Sequence, residues 1–551
     1  MNGKELIRIN DKLKADRSLW DQQWQDIAEN IVFRKTSIIS IATPGDKKTA
    51  KMYDSTATMG AQDLAAWING NLTSGEWFSL KMGGLLKEVK EYQEWLEEAR
   101  KVQHEAFRDS NWGGQWNEVL LDLVQFCTGA FYLEENEITK PGFNGFNFIS
   151  MPPGTYCNML GRNGKTQGLF RDLRLKAHEA IEKWPDKVSD EIKKSAEKDP
   201  GKLHDFVHAC FPVEWFGGKH RIKRFPFVSY YIDAKKKMLM QEGGYSWFPF
   251  FVIPYLRESG EDYGRGPGWT ALPEVKTAHK TRELSLKADA LTVLPPMGMV
   301  SNGVIGTVRL TPGGLTVIKG PDSLRPLLPG SKVGDRRAII EDQRQIIKEI
   351  FHSDKVKFIP PRDQTGQMTA YEVARRYLLA QMLLGPTFGN IVDHGFDPLI
   401  ETSFQMMFQA GAFPPPPGEL ANLLEGPEGK VNVEYESPLA RAMRVQEIES
   451  IQNTMEAVSA MLEVKPDIMD NFKLDEQAVY VAKAQGYPTK LINSKDEKEE
   501  IRDERAEAQK KSKEEAEKLA LLARAGKDAA GAAKELPPEV MEALGGGEAT
   551  Q

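Results

Sequence analysis

The first 125 residues carry apolar positions at helical spacing. Between Asp54 and the aromatic pair Trp77 and Phe78, six apolar residues recur at helical spacing, and three of them are alanines. Asp54 and Ser55 can cap a first helical turn. The six are Ala57, Ala61, Leu64, Ala65, Ile68 and Leu72, and similar stripes occur at Leu13, Trp20, Trp24, Ile27, Ala28 and Ile31 and from Trp95 onward. The pattern predicts a helical first section, with one helix starting near Ser55 and ending before Trp77. Gly60 on its small face would let another backbone approach closely.

Between Phe131 and Tyr255 the apolar runs become short and are broken by Gly, Asn and Pro. The segments FNFISM, TYCNML, FVSYYID and KMLMQEGGY predict strands, and KAHEAIEKWPDKVSDEIKKSAEK predicts a helical insert among them. Because strands and helices do not alternate regularly, this texture favours an α+β domain over a doubly wound parallel sheet.

Two helices then flank a small strand-rich piece. The first is predicted over 272–294, since it ends at the pair Pro295-Pro296. The strand-rich piece has TPGG as its turn, and the second helix has one narrow apolar stripe: Ile339, Ile340, Ile346, Ile347, Ile350 and Phe351. Such a helix is buried on one side only. It is either a surface helix of a monomer or part of a wall between neighbouring subunits and solvent.

Beyond this point, DKVKFIPPRDQTGQ leads into a long methionine-rich segment whose prolines predict kinked helices. FPPPPGEL stops it, VNVEYESPLA reads as a strand, and helices are predicted from Arg441 to about Lys483. The charged segment KDEKEEIRDERAEAQKKSKEEAEK, which begins at Lys495, has Ile501 as its only large apolar residue. It is either a solvated helix supported by ion pairs or a disordered tail.

Composition and charge exclude several classes of protein. The chain has 551 residues and a formal net charge of -7, which argues against a polybasic protein that binds nucleic acid over its whole surface. Three widely spaced cysteines, Cys127, Cys157 and Cys210, fit buried reduced thiols better than a disulfide framework. The N-terminus lacks the apolar core of a secretory signal, and FPFFVIPYL is too short to span a bilayer, so no membrane segment is expected.

Motifs for catalysis are incomplete. GRNGKT lacks the first glycine of a phosphate-binding loop and reads as a hairpin turn, while the HEAFR and HEAIE segments lack the second histidine of a zinc-protease helix. HDFVH places His204 and His208 one helical turn apart only if the segment is a helix, and no cysteine or carboxylate set accompanies it. No G-x-S-x-G elbow occurs. The sequence therefore predicts a non-enzyme without cofactor or metal.

A series of longer motifs occurs in a characteristic order. It consists of YDSTA with EWFSL, FRDSNW, VQFCTGAFYLEE, MPPGTY, VHACFP, EGGYSWFPFFVIPY, YGRGPG, the TPGG turn, MTAYEVARR and ESPLARA. This series resembles the head-to-tail connecting, or portal, proteins of short-tailed phages and covers nearly everything before the charged tail. Cys127 and Tyr371 depart from the family pattern. The resemblance also suggests a strand, not a helix, for HDFVH.

The resemblance implies a multidomain, mainly helical α+β portal fold that assembles as a ring, usually of twelve subunits. Its parts would be an N-terminal wing region over 1–271, a first stem helix over 272–294, a clip over 295–333, a second stem helix over 334–353, a channel loop over 354–367, wing helices and a strand over 368–437, a crown over 438–494, and a charged tail over 495–551. The small-faced helix near Ser55 would pack inside the wing.

Function follows from the same resemblance. Such a ring sits at one capsid vertex of the virion, having assembled in the host bacterial cytoplasm, and double-stranded DNA is packaged and ejected through it. Terminase large subunit, head-tail adaptor and tail proteins, capsid and scaffolding proteins would be its partners. Channel-loop candidates are Lys355, Lys357 and Arg362, whose alternative is a solvated loop, and candidates for terminase docking on the clip are Arg309, Lys319 and Arg325.

Two alternatives remain open at the level of sequence. The chain could be the packaging ATPase or nuclease itself, which would require a complete phosphate-binding loop and clustered metal carboxylates. It could also be a virion protein that binds other virion proteins without forming a channel. ATP turnover by the purified protein would support the first alternative, and particles without a DNA-sized channel would support the second.

Overall fold

The structure is a computed structural model that describes most of the chain up to residue 418 and shorter stretches beyond it. The described residues are 1–32, 38–39, 52–73, 75, 77–82, 89–136, 142–218, 220, 224–293, 297–299, 304–306, 317–321, 324–326, 333–356, 382–418, 420, 431–435, 448, 450–458, 472–484, 493, 497–498, 501–514 and 518. By its contacts the chain divides into two compact units, Met1–Ala442 and Met443–Gln551.

The first unit mixes helices with antiparallel strands. Its helices are α1 (Gly3–Asn30), α2 (Thr56–Leu72), α3 (Lys90–Asp109), α4 (Trp112–Phe126), α5 (Ala177–Lys183), α6 (Asp190–Lys198), α7 (Pro267–Val293), α8 (Val333–Ile350), α9 (Ser353–Val356) and α10 (Asp397–Gln409). A 3₁₀ turn spans Trp215–Gly218, residues 382–391 are helical, and a π-helical segment at Val392–Phe396 leads into α10. This content agrees with the predicted α+β class.

The strands form separate antiparallel sheets. They are β1 (Phe78–Met82), β2 (Thr128–Glu135), β3 (Phe146–Ser150), β4 (Tyr156–Leu160), β5 (Thr166–Lys176), β6 (Leu203–Pro212), β7 (Phe227–Asp233), β8 (Met238–Tyr245), β9 (Phe250–Pro254), β10 (Met297–Met299), β11 (Val304–Ile305), β12 (Val317–Ile318), β13 (Leu324–Pro326) and β14 (Val431–Tyr435). The largest sheet has the order β4-β5-β6-β7-β8, a second has the order β3-β2-β9, and β1 pairs with β14. The predicted strands of the α+β section are confirmed, with α5 and α6 inserted between β5 and β6.

Two short motifs have the conformations that the sequence predicts. GRNGKT forms the turn between β4 and β5, with Gly164 at a positive φ of 73° and its amide donating to the Gly161 carbonyl. HDFVH lies within β6, so the one-turn spacing of His204 and His208 does not apply. The strand suggested by the family resemblance is confirmed there.

Helix α2 forms the centre of the main core. All six small-face residues are buried, and the helix begins after Ser55. Its first free amide is satisfied by Asp54, whose Oδ1 accepts from the Thr56 N–H at 2.9 Å, whereas the Ser55 side chain makes no capping bond. Trp77, after the helix, is buried against the rings of Phe107, Trp112 and Phe396.

The YGRGPG motif allows the chain to pass close to the end of α4. A Cβ atom at Gly268 would collide with the carbonyl oxygen of Gln125, and one at Gly264 would collide with that of Cys127. Helix α7 starts directly in this motif, with Pro267 as its first residue, a position where the missing proline N–H costs no helical bond. The helix therefore begins five residues before Leu272, where the sequence pattern placed the start.

Helices α7 and α8 pack together, and the segment between them contains short strand pairs. β10 pairs with β13 and β11 pairs with β12, both antiparallel. Gln343 Nε2 donates to Thr281 Oγ1 at 3.4 Å, and these residues lie at similar distances along the chain from the connecting segment. The two helices consequently run in opposite directions. The predicted TPGG turn lies outside the described residues.

The second unit contains α11 (Leu474–Ala484) and helical residues 450–458 and 501–514. The run 501–514 is exposed throughout, and Arg502 forms an ion pair with Asp475 at 2.6 Å. Over these residues the charged tail is the solvated helix that was one of its two predicted forms.

Candidate functional site

Three of the predicted site residues lie in the described part of the chain, two of them between α7 and α8 and one directly after α8. Lys355 lies in α9 directly after α8 and is exposed. Lys319 is exposed beside β12, and the backbone of Arg325 is in β13, paired in register with Gly298. Lys357, Arg362 and Arg309 lie outside the described residues. Of the predicted site residues that the structure describes, Lys355 is thus exposed after α8, and Lys319 is exposed within the connecting segment.

A carboxylate that was identified only as a helix cap holds the helix pair to the core. Besides capping α2, Asp54 accepts from Arg344 of α8, with a distance of 2.7 Å between Arg344 Nε and Asp54 Oδ2. Burial of the Asp54 carboxyl raises its pKa, but the hydrogen bonds from Thr56 and Arg344 outweigh burial and hold the pKa below its ordinary value. The ionised carboxylate therefore joins α2 to α8.

Helix α7 is held at the same place by a histidine. The backbone N–H groups of Tyr53 and Asp54 both lie 3.2 Å from His279 Nδ1, and His279 Nε2 lies 2.9 Å from the carbonyl oxygen of Asn30. This arrangement suits a neutral imidazole that accepts at Nδ1 and donates at Nε2. The YDSTA segment is thus the point where α1, α2, α7 and α8 are joined.

The end of α8 is fixed by two further contacts with α2. Ser353 Oγ donates to Asp63 Oδ2 at 3.0 Å, and Phe351 is fully buried against Gly60. A Cβ at Gly60 would come within 3.1 Å of the Phe351 side chain. Gly60 therefore makes room for the Phe351 side chain, and not for the close backbone approach that the sequence predicts.

His352 turns the chain between α8 and α9. It has a left-handed backbone, with φ of 53°, and its N–H donates to the Glu349 carbonyl. Burial lowers the pKa of the His352 imidazole, nearby Lys355 lowers it further, and Asp354 acts in the opposite direction. The turn sets the direction in which the chain leaves α8 toward Lys355.

The described part of the chain supports neither a membrane-spanning helix nor a metal site. None of its helices combines the length and the apolar character that crossing a membrane would require. Its His, Cys, Asp and Glu side chains do not come together in groups of three that could hold a metal ion. The three cysteines are free and buried, as predicted, and burial raises the pKa of Cys127 to about 12 and that of Cys157 to about 11.

Comparison with known proteins gives a match over most of the chain. The family model described as "Bacteriophage head to tail connecting protein" matches residues 3–492. The "Probable portal protein" of Bordetella phage BPP-1 is 25% identical over 522 residues, which cover 92% of this chain and 91% of the relative. The "Portal protein" of Salmonella phage epsilon15 is 24% identical over 520 residues, which cover 91% of each.

Among solved structures, a chain described as "Virion of native gene transfer agent (GTA) particle" matches with a TM-score of 0.33 and 12% identity. The match covers 73% of this chain and 84% of that chain.

Proposed function

Because this chain belongs to the bacteriophage head to tail connecting protein family, we propose that it is the subunit of a portal ring at one vertex of the phage capsid. Double-stranded DNA would enter through the ring during packaging and leave through it during ejection. The observation that carries this proposal is the family match over residues 3–492, joined by two relatives that carry the name portal protein.

The described elements support an assignment of parts. Antiparallel α7 and α8 with short strands between them suit two stem helices and a clip, and the α+β sheets with α1–α4 suit a wing. Residues 438–494 would form the crown. The contacts of Asp54 with Arg344 and His279 would then join the stem to the wing, so a displacement of the stem helices would be transmitted to the wing.

DNA in such a conduit has to pass without being held. A channel that neutralised many phosphates would release counterions and bind the duplex tightly. A chain with net charge -7 and a few cations after α8 fits weak contact, and the exposed position of Lys355 supports its proposed place in a channel loop with Lys357 and Arg362.

Motor and tail proteins would dock outside the channel. The clip, with Arg309, Lys319 and Arg325, is the proposed surface for the terminase large subunit, which would supply ATP hydrolysis; this chain would perform no catalysis. Head-tail adaptor, tail, capsid and scaffolding proteins would contact the remaining surfaces in the virion. Deleting the clip should spare the folding of the wing and abolish terminase docking, and undiminished docking would reject this assignment.

Single-particle electron microscopy of the purified full-length protein tests the proposal. A ring with a central channel wide enough for duplex DNA, and with the 295–333 insert at its narrow end, is the expected result. Monomers or closed particles without a channel, in conditions that favour assembly, would overturn it. ATP turnover by the purified protein without partners would instead favour the packaging enzyme.

A further inference from the structure

Strand β9 has one edge that no other described strand covers. The sheet has the order β3-β2-β9, so β9 pairs with β2 on one side only. The Tyr255 N–H donates to the Cys127 carbonyl, so residues 251, 253 and 255 direct their backbone groups toward β2. Phe250, Val252 and Pro254 therefore direct theirs to the opposite side.

The outward backbone groups of β9 are buried but unpaired. Phe250 and Val252 are 2% and 4% exposed. In the described part of the chain, no hydrogen bond reaches the N–H or the C=O of either residue on that side. A buried backbone group without a partner costs about as much free energy as a lost hydrogen bond, so such groups are rare in folded proteins. Two N–H groups and two carbonyls of β9 are therefore left for a partner.

These residues line a groove between β9 and α10. Its volume is about 400 Å³, within the range of about 300–1,000 Å³ that is typical of ligand pockets. One part of its lining is the strand and the segment before it, residues 246–248 and 250–252, and another is one face of α10, with Glu401, Thr402, Gln405 and Gln409. We name the space between these two parts the β9 groove.

The α10 side of the groove is polar and about as long as four residues of a strand. Glu401 and Gln409 are eight positions apart, which corresponds to about 12 Å along the helix. An extended chain covers this distance in about four residues. Thr402 and Gln405 lie between them and offer a hydroxyl and an amide group, which can both donate and accept, while Trp247 adds apolar surface. The groove thus has the length and the hydrogen-bonding groups that a short extended peptide requires.

The charges around the groove nearly cancel. Lys165 contributes a cation, and its Nζ donates to the backbone carbonyl of Asp393 at 3.2 Å. The side chains of Asp393 and Glu401 contribute two carboxylates. Burial, Arg257 and Lys165 together hold the pKa of His394 below its ordinary value, so its imidazole is neutral near pH 7. A strongly acidic segment would meet two carboxylates and one lysine, whereas an uncharged segment meets no such repulsion.

We propose that the β9 groove binds an extended, uncharged segment of a partner protein, which adds a fourth strand to the β3-β2-β9 sheet beside β9. The backbone of this segment would pair with the N–H and C=O groups of Phe250 and Val252 at the usual strand spacing of about 4.8 Å. Main-chain hydrogen bonds would supply the affinity, and contacts with Trp247 and Gln405 would select the side chains. The inference does not depend on the proposed ring, because every group that carries it lies within one chain.

Backbone methylation of a peptide probe tests this mode of binding. The probes are three labelled hexapeptides that alternate threonine with valine, leucine or tyrosine, and fluorescence anisotropy measures their binding to the full-length protein. At least one should bind saturably. Its fully N-methylated counterpart should bind at least about tenfold more weakly, since it can no longer donate hydrogen bonds to β9. Equal binding of both forms, or no saturable binding by any of the three peptides, overturns the proposal.

Two variants of the protein test the groove itself. Val252→Pro removes an outward N–H that takes no part in the ladder with β2, and it should weaken probe binding about tenfold. Gln405→Trp, which fills the groove from α10, should do the same and serves where the proline variant folds poorly. Gln22→Trp, at an exposed position of α1, is the matched control and should bind like the wild type. Circular dichroism verifies the fold, and full affinity in both folded groove variants contradicts the inference.

Amide hydrogen exchange shows what covers the edge. The probe should slow exchange of the Val252 amide at least about tenfold, whereas the Ile253 amide, which belongs to the β2 ladder, should exchange slowly with or without it. If assembly of the wild type alone protects Val252, a second copy occupies the edge, and the assignment to a partner protein is overturned. A ring that binds no probe would reject this inference and leave the portal proposal in place, and a chain that binds the probe without forming a ring would do the reverse.

Discussion

The aromatic core around Trp24 and the α7–α8 pair differ in how much of their apolar surface one chain can bury. Trp24 is fully buried, and its ring meets the Tyr263 ring edge-on with 5.0 Å between the ring centroids. Its Nε1–H donates to the Phe126 carbonyl. The helix pair buries Ile347 and Phe351 but leaves Leu284 and Ile339 in solvent. The core is therefore complete within one chain, whereas the pair keeps apolar side chains half exposed to solvent.

The largest expected effect comes from the core. Trp24→Ala should lower the free energy of unfolding by about 3–5 kcal/mol, because it removes a large buried ring and leaves a cavity. Urea denaturation followed by circular dichroism measures the loss as a shift of the transition midpoint. Leu19→Ala, at a 75% exposed position in the same helix, is the control and should barely move it. Equal shifts for both variants would refute the idea of a self-sufficient core here.

An intermediate effect is expected where the pair is anchored. Asp54→Ala should lower the free energy of unfolding by about 1–3 kcal/mol, since it removes the acceptor that the partly buried Thr56 amide and the Arg344 side chain share. Once Arg344 has been replaced by alanine, the same change should cost less, and the difference is the coupling across the ion pair. Asp186→Ala, an exposed carboxylate, serves as control. Additive losses would show that Asp54 acts only as a helix cap.

The same anchor predicts a dependence on pH. The folded pKa of Asp54 lies below its ordinary value, so its stabilisation is present above the unfolded pKa, about 3.9, and is lost as pH falls through the folded pKa. Asp54→Asn should therefore flatten the acid end of the stability profile and should leave its slope near pH 7 unchanged. An acid limb that matches the wild type would exclude Asp54 as a source of the dependence.

A smaller effect, and one of opposite sign, is expected at the end of α8, where a substitution should raise the free energy of unfolding. Because His352 has φ of 53°, His352→Gly relieves backbone strain and should raise the free energy of unfolding by about 0.5–1 kcal/mol. His178→Gly, in the ordinary helix α5, should have the opposite sign, since glycine is unfavourable within a helix. Calorimetry distinguishes the two signs, and a loss at position 352 would mean that imidazole contacts outweigh the strain.

The periodicity of the sequence predicts most of the helices and strands, but it does not predict which of them contact each other. The small face of α2, the strands between Phe131 and Tyr255 and the β4–β5 turn follow from local patterns. The apolar stripe of α8 includes both Ile339 and Ile340, but only Ile340 is buried, because tertiary packing decides which of two adjacent apolar residues faces inward. The bond between Asp54 and Arg344 spans 290 residues, and no local spacing signals it. The roles of all the channel-loop and clip candidates remain predictions, and Lys357, Arg362 and Arg309 lie outside the described residues.

The smallest effect on stability is expected at the outer side of the helix pair. Leu284→Gln should change the free energy of unfolding by no more than about 0.5 kcal/mol, because the side chain is already half in solvent. Ile347→Gln, at a buried position of α8, is its counterpart and should destabilise strongly, since it places an amide in the core. If Leu284 lies between neighbouring subunits of the proposed ring, Leu284→Gln will still lower the assembled fraction that sedimentation velocity measures. A variant that is as stable and as assembled as the wild type would show that the exposed stripe is ordinary surface, and the contrast with the Trp24 core would then concern burial alone.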